Sequence, residues 1–290
     1  MKFARLSTPR GVTVAVVDDA AGRYWPLAEL AGFAGDMAEL AAQYATLRRR
    51  LAPRGAGRPL AEAQLLAPLV PRRNLFCVGK NYREHAREFS RSGFDASAAA
   101  GEEAPPAPVF FSKPPSTIVG PGGAVSCHPG VTRELDYEAE LAVVIGRGGH
   151  HIRRADAMAH VWGYTIVNDV TARDLQRQHR QWFLGKSLDT FCPMGPWIVT
   201  ADEVDGSRLR VRCWINDELR QDASTADLIF DIPALIETLS AGIELHPGDV
   251  IATGTPAGVG IGFTPPRFLA AGDRMRIEVE GIGVLENRLA

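Results

Sequence analysis

"TRELDYEAELAVVIGR", residues 132–147, alternates acidic and uncharged residues before running into an unbroken apolar tail. Glu134, Asp136, Glu138 and Glu140 take every second position, and Leu135, Tyr137, Ala139 and Leu141 fill the gaps. Side chains of a β-strand alternate between faces, so this period predicts a strand with four carboxylates on one side. Two readings fit that spacing. Such alternation serves the solvated face of a half-exposed antiparallel strand. Yet like charges along one strand repel. Carboxylates two residues apart have roots ~7 Å apart, near enough for a pair to converge on one hard cation such as Mg²⁺. The apolar run from Leu141 to Ile145 predicts a buried strand that anchors the pair.

Outward from this stretch the pattern stays sheet-rich. From Asn74 onward, short runs rich in Val, Ile, Phe and Trp are bounded by Gly, Pro or Asp, as in "NLFCVG", "APVFFSK", "VWGYTIVND", "GPWIVT" and "RLRVRCWIN". Helical periodicity is confined to "NYREHAREFS", "RRADAMAHV", "TARDLQRQHRQ" and "FDIPALIETLSAGI", the last with Asp231 as N-cap and Pro233 in the first turn. Many strands with few helices predict an α+β fold around a large mixed or antiparallel sheet system. Residues 1–70 read differently: a hairpin, an Ala/Leu/Glu-rich helix and a Pro-rich passage suggest a small N-terminal α+β domain. The catalytic body is then expected over 71–290. Residues 90–107, small and Pro/Gly-rich, read as either a surface loop or a lid.

Composition narrows the function classes. The chain has 290 residues, 46% hydrophobic and 23% charged, with a net charge of −2. That balance gives no footprint for nucleic acid or an anionic membrane. No apolar run reaches the ~18 residues that would span a bilayer. The N-terminal "MKFARLSTPRGVTV" lacks a signal-peptide core, so a cytoplasmic location is expected. Cys77, Cys127, Cys192 and Cys213 are scattered without a CxxC pair, which predicts reduced thiols.

Several residues carry chemistry in these surroundings. If Glu138 and Glu140 bind a cation, a third carboxylate is needed. Asp169 interrupts the apolar run "VWGYTIVND" just before a helix; it could be that ligand, a helix cap, or both. His85 and Glu88, three apart, share a face if helical, and a carboxylate beside an imidazole raises its basicity. A surface pair explains the same spacing. Lys186 sits in the apolar, glycine-containing "WFLGKSLDTF", a setting for a buried ammonium that needs a partner such as an anionic substrate. "ATGTPAGVG", 252–260, is a turn-rich loop whose hydroxyls and N–H groups suit an anion; it lacks the lysine of a P-loop.

These segments together resemble the fumarylacetoacetate hydrolase family, which includes acylpyruvases and 2-hydroxyhepta-2,4-diene-1,7-dioate isomerases. The matching motifs are "CVGKNYREHAREF" (77–89), "DYEAELAVVIGR" (136–147), "GYTIVNDVTARDLQ" (163–176), "GKSLDTFCPMGPWIVT" (185–200) and "GDVIATGTPAGVG" (248–260), in family order. The resemblance implies a β-roll with the site in its mouth, in a homodimer. It implies Glu138, Glu140 and Asp169 as ligands of Mg²⁺, Mn²⁺ or Ca²⁺, and His85 with Glu88 as a water-activating dyad. Arg173, Gln176, Lys186 and Thr255 fall at substrate-site positions, with Lys186 and Gln176 set to stabilise an oxyanion. Glu134 and Asp136 match no ligand position and are read as rim residues. The implied activity is metal-dependent C–C hydrolysis of a small 2,4-diketo acid through a stabilised enolate. The alternative is isomerisation or decarboxylation of hydroxydienedioates or oxaloacetate-type 2-oxo acids in aromatic-compound catabolism.

Overall fold

The computed structural model describes residues 1–94 and 105–290. Its fold is mixed α and β, and sheet-rich. The strands Ala139–Ile145, Val161–Asn168 and Cys192–Thr200 are buried along their whole length. Continuous burial explains their near-continuous apolar sequence: both faces of these central strands are covered. They lie side by side in a large sheet, with Val161–Asn168 in the middle and antiparallel to both neighbours. On one flank Val250–Ala252 pairs with Ala139–Ile145, followed by Leu75–Gly79 and Val109–Lys113. On the other flank Lys2–Thr8 pairs with Cys192–Thr200, in the register Lys2 to Val199 and Phe3 to Ile198. The sheet therefore continues into the first 70 residues, through Gly11–Asp18 and Arg23–Pro26. The helix Met37–Leu47, started by a reciprocal cap between Asp36 and Glu39, packs there. Phe3 stacks on Trp162 at 5.6 Å, and Tyr44 meets both rings edge-on, tying the two parts into one apolar layer.

A second, five-stranded sheet runs Glu218–Ser224, Arg210–Ile215, Arg274–Val279, Gly283–Leu289 and Ala124–Val125. Its inward residues Val211, Cys213, Ile277 and Leu285 join the main core with Leu141, Val143 and Ile166 of the central strands. The helix Ile232–Ser240 starts where the sequence places it, with Asp231 accepting from the Ala234 N–H at 2.9 Å. The segment "RRADAMAHV" instead forms a 3₁₀ helix, Arg154–His160.

The opening stretch is not one strand. Leu135–Asp136 pairs with Thr171–Ala172, and a separate strand begins at Ala139 and pairs with Val161–Asn168. The break leaves Tyr137 and Glu138 between two ladders. Register then brings the acids together. Ala139 lies opposite Asn168, so the Asp169 N–H donates to the Glu138 carbonyl at 2.8 Å. The Asn168 side chain accepts from the Glu138 N–H at 3.0 Å. Among the described residues, no helix is long and apolar enough to cross a membrane.

Candidate metal centre

Glu138, Glu140 and Asp169 each offer an oxygen within 4.8 Å of the others, and all three are buried. A buried carboxylate costs free energy unless it is paired or hydrogen-bonded, so their partners matter. Lys186 Nζ donates to Glu138 Oε2 and to Asp169 Oδ2, both at 2.8 Å. Arg173 Nη2 lies 2.7 Å from Glu138 Oε1 as an ion pair. Lys113 Nζ donates to Asp169 Oδ1 at 2.6 Å. Burial works against ionisation of Glu138, but Lys186 and Arg173 outweigh it and hold its carboxyl down to about 2. Glu140 is different. Its Oε2 accepts from the Gly254 N–H at 2.9 Å, while its Oε1 has no hydrogen-bond partner among the described residues. Burial, then the charges of Asp169 and Glu138, push its carboxyl well above the usual carboxylate range. An orphaned oxygen on a buried carboxylate that lies beside two others is what a hard cation would satisfy. The donor set, all carboxylate oxygen, fits Mg²⁺, Mn²⁺ or Ca²⁺.

Asp136 corrects the sequence reading. It is fully buried and does not sit at a rim. It accepts from Arg173 Nε at 2.9 Å and from the N–H groups of Tyr137, Gly260 and Ile261. It thus fastens Arg173 and the 258–262 loop to the site. Glu134 is half-buried, 3.5 Å from Arg177. Asp169 does not cap the following helix, which begins at Arg173 without a side-chain cap.

The facing wall is the helix Arg83–Arg91. His85 Nδ1 and Glu88 Oε2 are 3.1 Å apart, and His85 is buried. Glu88 also accepts from the Gly258 N–H at 3.0 and 3.3 Å. Two glycines permit this approach. A Cβ on Gly262 would fall inside the Glu88 carboxylate, and Gly258, at φ +102°, would bring a Cβ onto the Arg220 carbonyl. His85, Glu138, Arg173, Gln176, Lys186 and Thr255 line one pocket. Within it Gln176 Oε1 accepts from Arg173 Nη1 at 3.1 Å, and Thr255 Oγ1 accepts from Gln221 Nε2 at 2.7 Å. Lys80, at the same pocket, holds a left-handed φ of 56°, the type of backbone strain that collects at functional sites.

Sequence reasoning thus finds residues that the structure assembles, yet it misses three that support them. Lys113 ends the aromatic run "VFFSK" before two prolines. It carries the same signal as Lys186, a lone lysine in apolar company. Gln221, fully buried, accepts from the Ala139 N–H at 3.1 Å and holds Thr255; its neighbours are polar and give no signal. Asn81 bridges Phe230 and Thr253. The partner expected for Lys186, an anionic substrate, is supplied here by Glu138 and Asp169 themselves. The lid reading of 90–107 falls mostly on residues 95–104, outside the described residues.

Residues 74–290 match the family model described as fumarylacetoacetate (FAA) hydrolase C-terminal. The chain belongs to the fumarylacetoacetate hydrolase family. Within that family it is similar to the oxaloacetate tautomerase YisK of Bacillus subtilis, 53% identical over 234 residues, 79% of this chain and 74% of that protein. Its structure is similar to that of a fumarylacetoacetate hydrolase from Exiguobacterium antarcticum, with a TM-score of 0.83 at 40% identity, over 100% of this chain and 99% of that one. It is also similar to a maleylpyruvate hydrolase from Sphingobium sp. SYK-6 in complex with manganese(II) and pyruvate, with a TM-score of 0.79 at 33% identity, over 100% and 99%. Family members with these likenesses are thus tautomerases and hydrolases.

Proposed function

We propose that this chain is an enzyme that interconverts the enol and keto forms of a small 2-oxo dicarboxylic acid of the oxaloacetate type, with Mg²⁺ or Mn²⁺ at the carboxylate triad. The observation that carries this reading is the 53% identity to an oxaloacetate tautomerase. Glu138, Glu140 and Asp169 would hold the cation, and Glu140 Oε1 is the oxygen with most to gain from it. When bound, that cation supplies Lewis acidity to a 2-oxo carboxylate.

The remaining steps belong to the chain's own residues. Glu88 fixes the imidazole by accepting from Nδ1–H, which leaves the lone pair on Nε2. In the enol-forming direction, that nitrogen takes a proton from C3 of the keto acid as general base, and the resulting enolate oxygen takes a proton from solvent; in the reverse direction the enol O–H proton leaves to solvent and the imidazolium returns a proton to C3. Gln176 accepts from Arg173 through Oε1, so its NH₂ group is left to donate to the substrate. Thr255 accepts from Gln221, so its hydroxyl hydrogen is likewise left to donate. Lys186, between Glu138 and Asp169, adds positive charge where the oxo oxygen gains negative charge. Arg173 positions Gln176 and neutralises Glu138. The working form is proposed to be a cytoplasmic homodimer.

A second reading, hydrolytic cleavage of a C–C bond in an acylpyruvate, is favoured by one observation. The His85–Glu88 pair is placed to activate a water as readily as a carbon acid. A substrate panel separates the two. Purified protein with Mn²⁺ is assayed for enol–keto exchange of oxaloacetate and for cleavage of acylpyruvates, each with and without chelator. Chelator-sensitive exchange at a kcat/KM well above that for cleavage is expected. The reverse order would replace the first reading by the second.

A further inference from the structure

Lys113 is a fully buried cation that the proposed reaction does not use. It ends the strand Val109–Lys113 and does not line the pocket that holds Lys186. Its ammonium donates to Asp169 Oδ1 at 2.6 Å, to the Val170 carbonyl at 3.0 Å, and to the Lys186 carbonyl. An ammonium has three donors, and here each has an acceptor. Nothing is left over for a substrate. Core stability does not account for the lysine either, since apolar replacements of buried ion pairs are often no less stable.

Its acceptors belong to the two segments that build the site. Asp169 and Val170 follow the strand Val161–Asn168, and Lys186 ends the helix Phe183–Lys186. The Lys186 ammonium then spans Asp169 Oδ2 and Glu138 Oε2. Asp169 is therefore held by two lysines, one on each oxygen, and one of these lysines also fixes the backbone of the other.

We infer that Lys113 is a positioning residue for the cation site: it sets the orientation of the Asp169 carboxylate and the main chain of Lys186. The inference rests on the triad holding a cation and is independent of which reaction that cation serves. Three roles give three different signs. A bare positive charge beside the site repels a divalent cation, so its removal would tighten binding. A packing role alone would lower the Tm and leave affinity unchanged. A positioning role weakens binding although a repulsive charge has been removed.

The test is Mn²⁺ titration by calorimetry of the full chain, wild type beside Lys113→Met, with the metal-free Tm of each. The expected result is a loss of affinity of at least ~10-fold, the size found when outer partners of metal ligands are removed. Equal or tighter binding by Lys113→Met would overturn the positioning role. Absence of Mn²⁺ binding in the wild type would overturn the cation site itself, and this role with it. Should Lys113→Met not fold, the ammonium NMR signals of the wild type decide. Lys113 is expected to exchange slowly and stay in place when Mg²⁺ is added, while Lys186 shifts. A Lys113 signal that exchanges fast, or shifts as far as that of Lys186, would overturn the inference.

Discussion

Asp136 and Glu140 are carboxylates four residues apart, both buried, in opposite states. Asp136 is saturated, with Arg173 Nε and three backbone N–H groups on its two oxygens. Glu140 has one backbone N–H on Oε2 and, among the described residues, no partner on Oε1. Burial is therefore no guide to role; the state of the lone pairs is. A carboxylate held by a guanidinium and three backbone N–H groups, away from the other acids, fastens the fold. One with an empty oxygen beside two other acids is set up for a ligand. Charge says the same. Asp136, Glu138 and Asp169 each pair with one or two of the buried cations Arg173, Lys186 and Lys113, whereas among the described residues Glu140 forms no ion pair.

The sharpest way to break this contrast is to neutralise each acid in turn. Asp136→Asn leaves Arg173 and two loop N–H groups without their charged acceptor. A loss of about 3–5 kcal/mol is expected, as for other broken buried pairs, read by urea unfolding of metal-free protein. Glu140→Gln replaces a carboxyl whose ionised form the metal-free fold disfavours, so it should leave stability unchanged or raise it. Equal destabilisation by the two would end the distinction.

Next in size is the facing wall. His85→Gln is expected to lower the rate of proton transfer by about 10²–10⁴ while Mn²⁺ affinity stays at the wild-type value, checked by kinetics and calorimetry on one preparation. A matching fall in metal affinity would place His85 among the ligands instead.

The smallest expected effect is in pH. Glu140 is raised in the fold, so the metal-free protein is favoured while that group stays protonated. Its contribution is complete below the ordinary value of 4.5 and fades as pH climbs through the raised folded value. Glu138 has the opposite sign: held down to about 2, it stabilises above 4.5 and that contribution is lost as pH falls toward 2. The Tm difference between Glu140→Gln and wild type, both metal-free, should therefore grow in the variant's favour as pH rises. A difference that does not vary with pH would contradict the assignment.

Much of this molecule is legible in its sequence for a physical reason. Apolar runs such as "ELAVVIG" and "VWGYTIVND" report burial on both faces. Asp169 stands out because it interrupts one of them. Glu138 and Glu140 stand out through their period of two. The same period hides Asp136, since spacing cannot tell a solvated acid from a saturated one. Lys113 and Gln221 escape because their partners are distant, 56 and 73 residues away for Lys113 and 34 for Gln221. The pairing of Lys2–Thr8 with Cys192–Thr200 escapes for that reason too. Local pattern shows which segments are strands, and register decides which acids meet.

Whether Glu140 binds the cation is read by Mn²⁺ titration by calorimetry of wild type and Glu140→Gln in two buffers of different ionisation enthalpy. One site is expected in the wild type, with proton release as Glu140 gives up its proton to the incoming cation, and binding abolished or at least ~100-fold weaker in the variant. Equal affinity in both proteins, with no buffer dependence, would contradict that expectation.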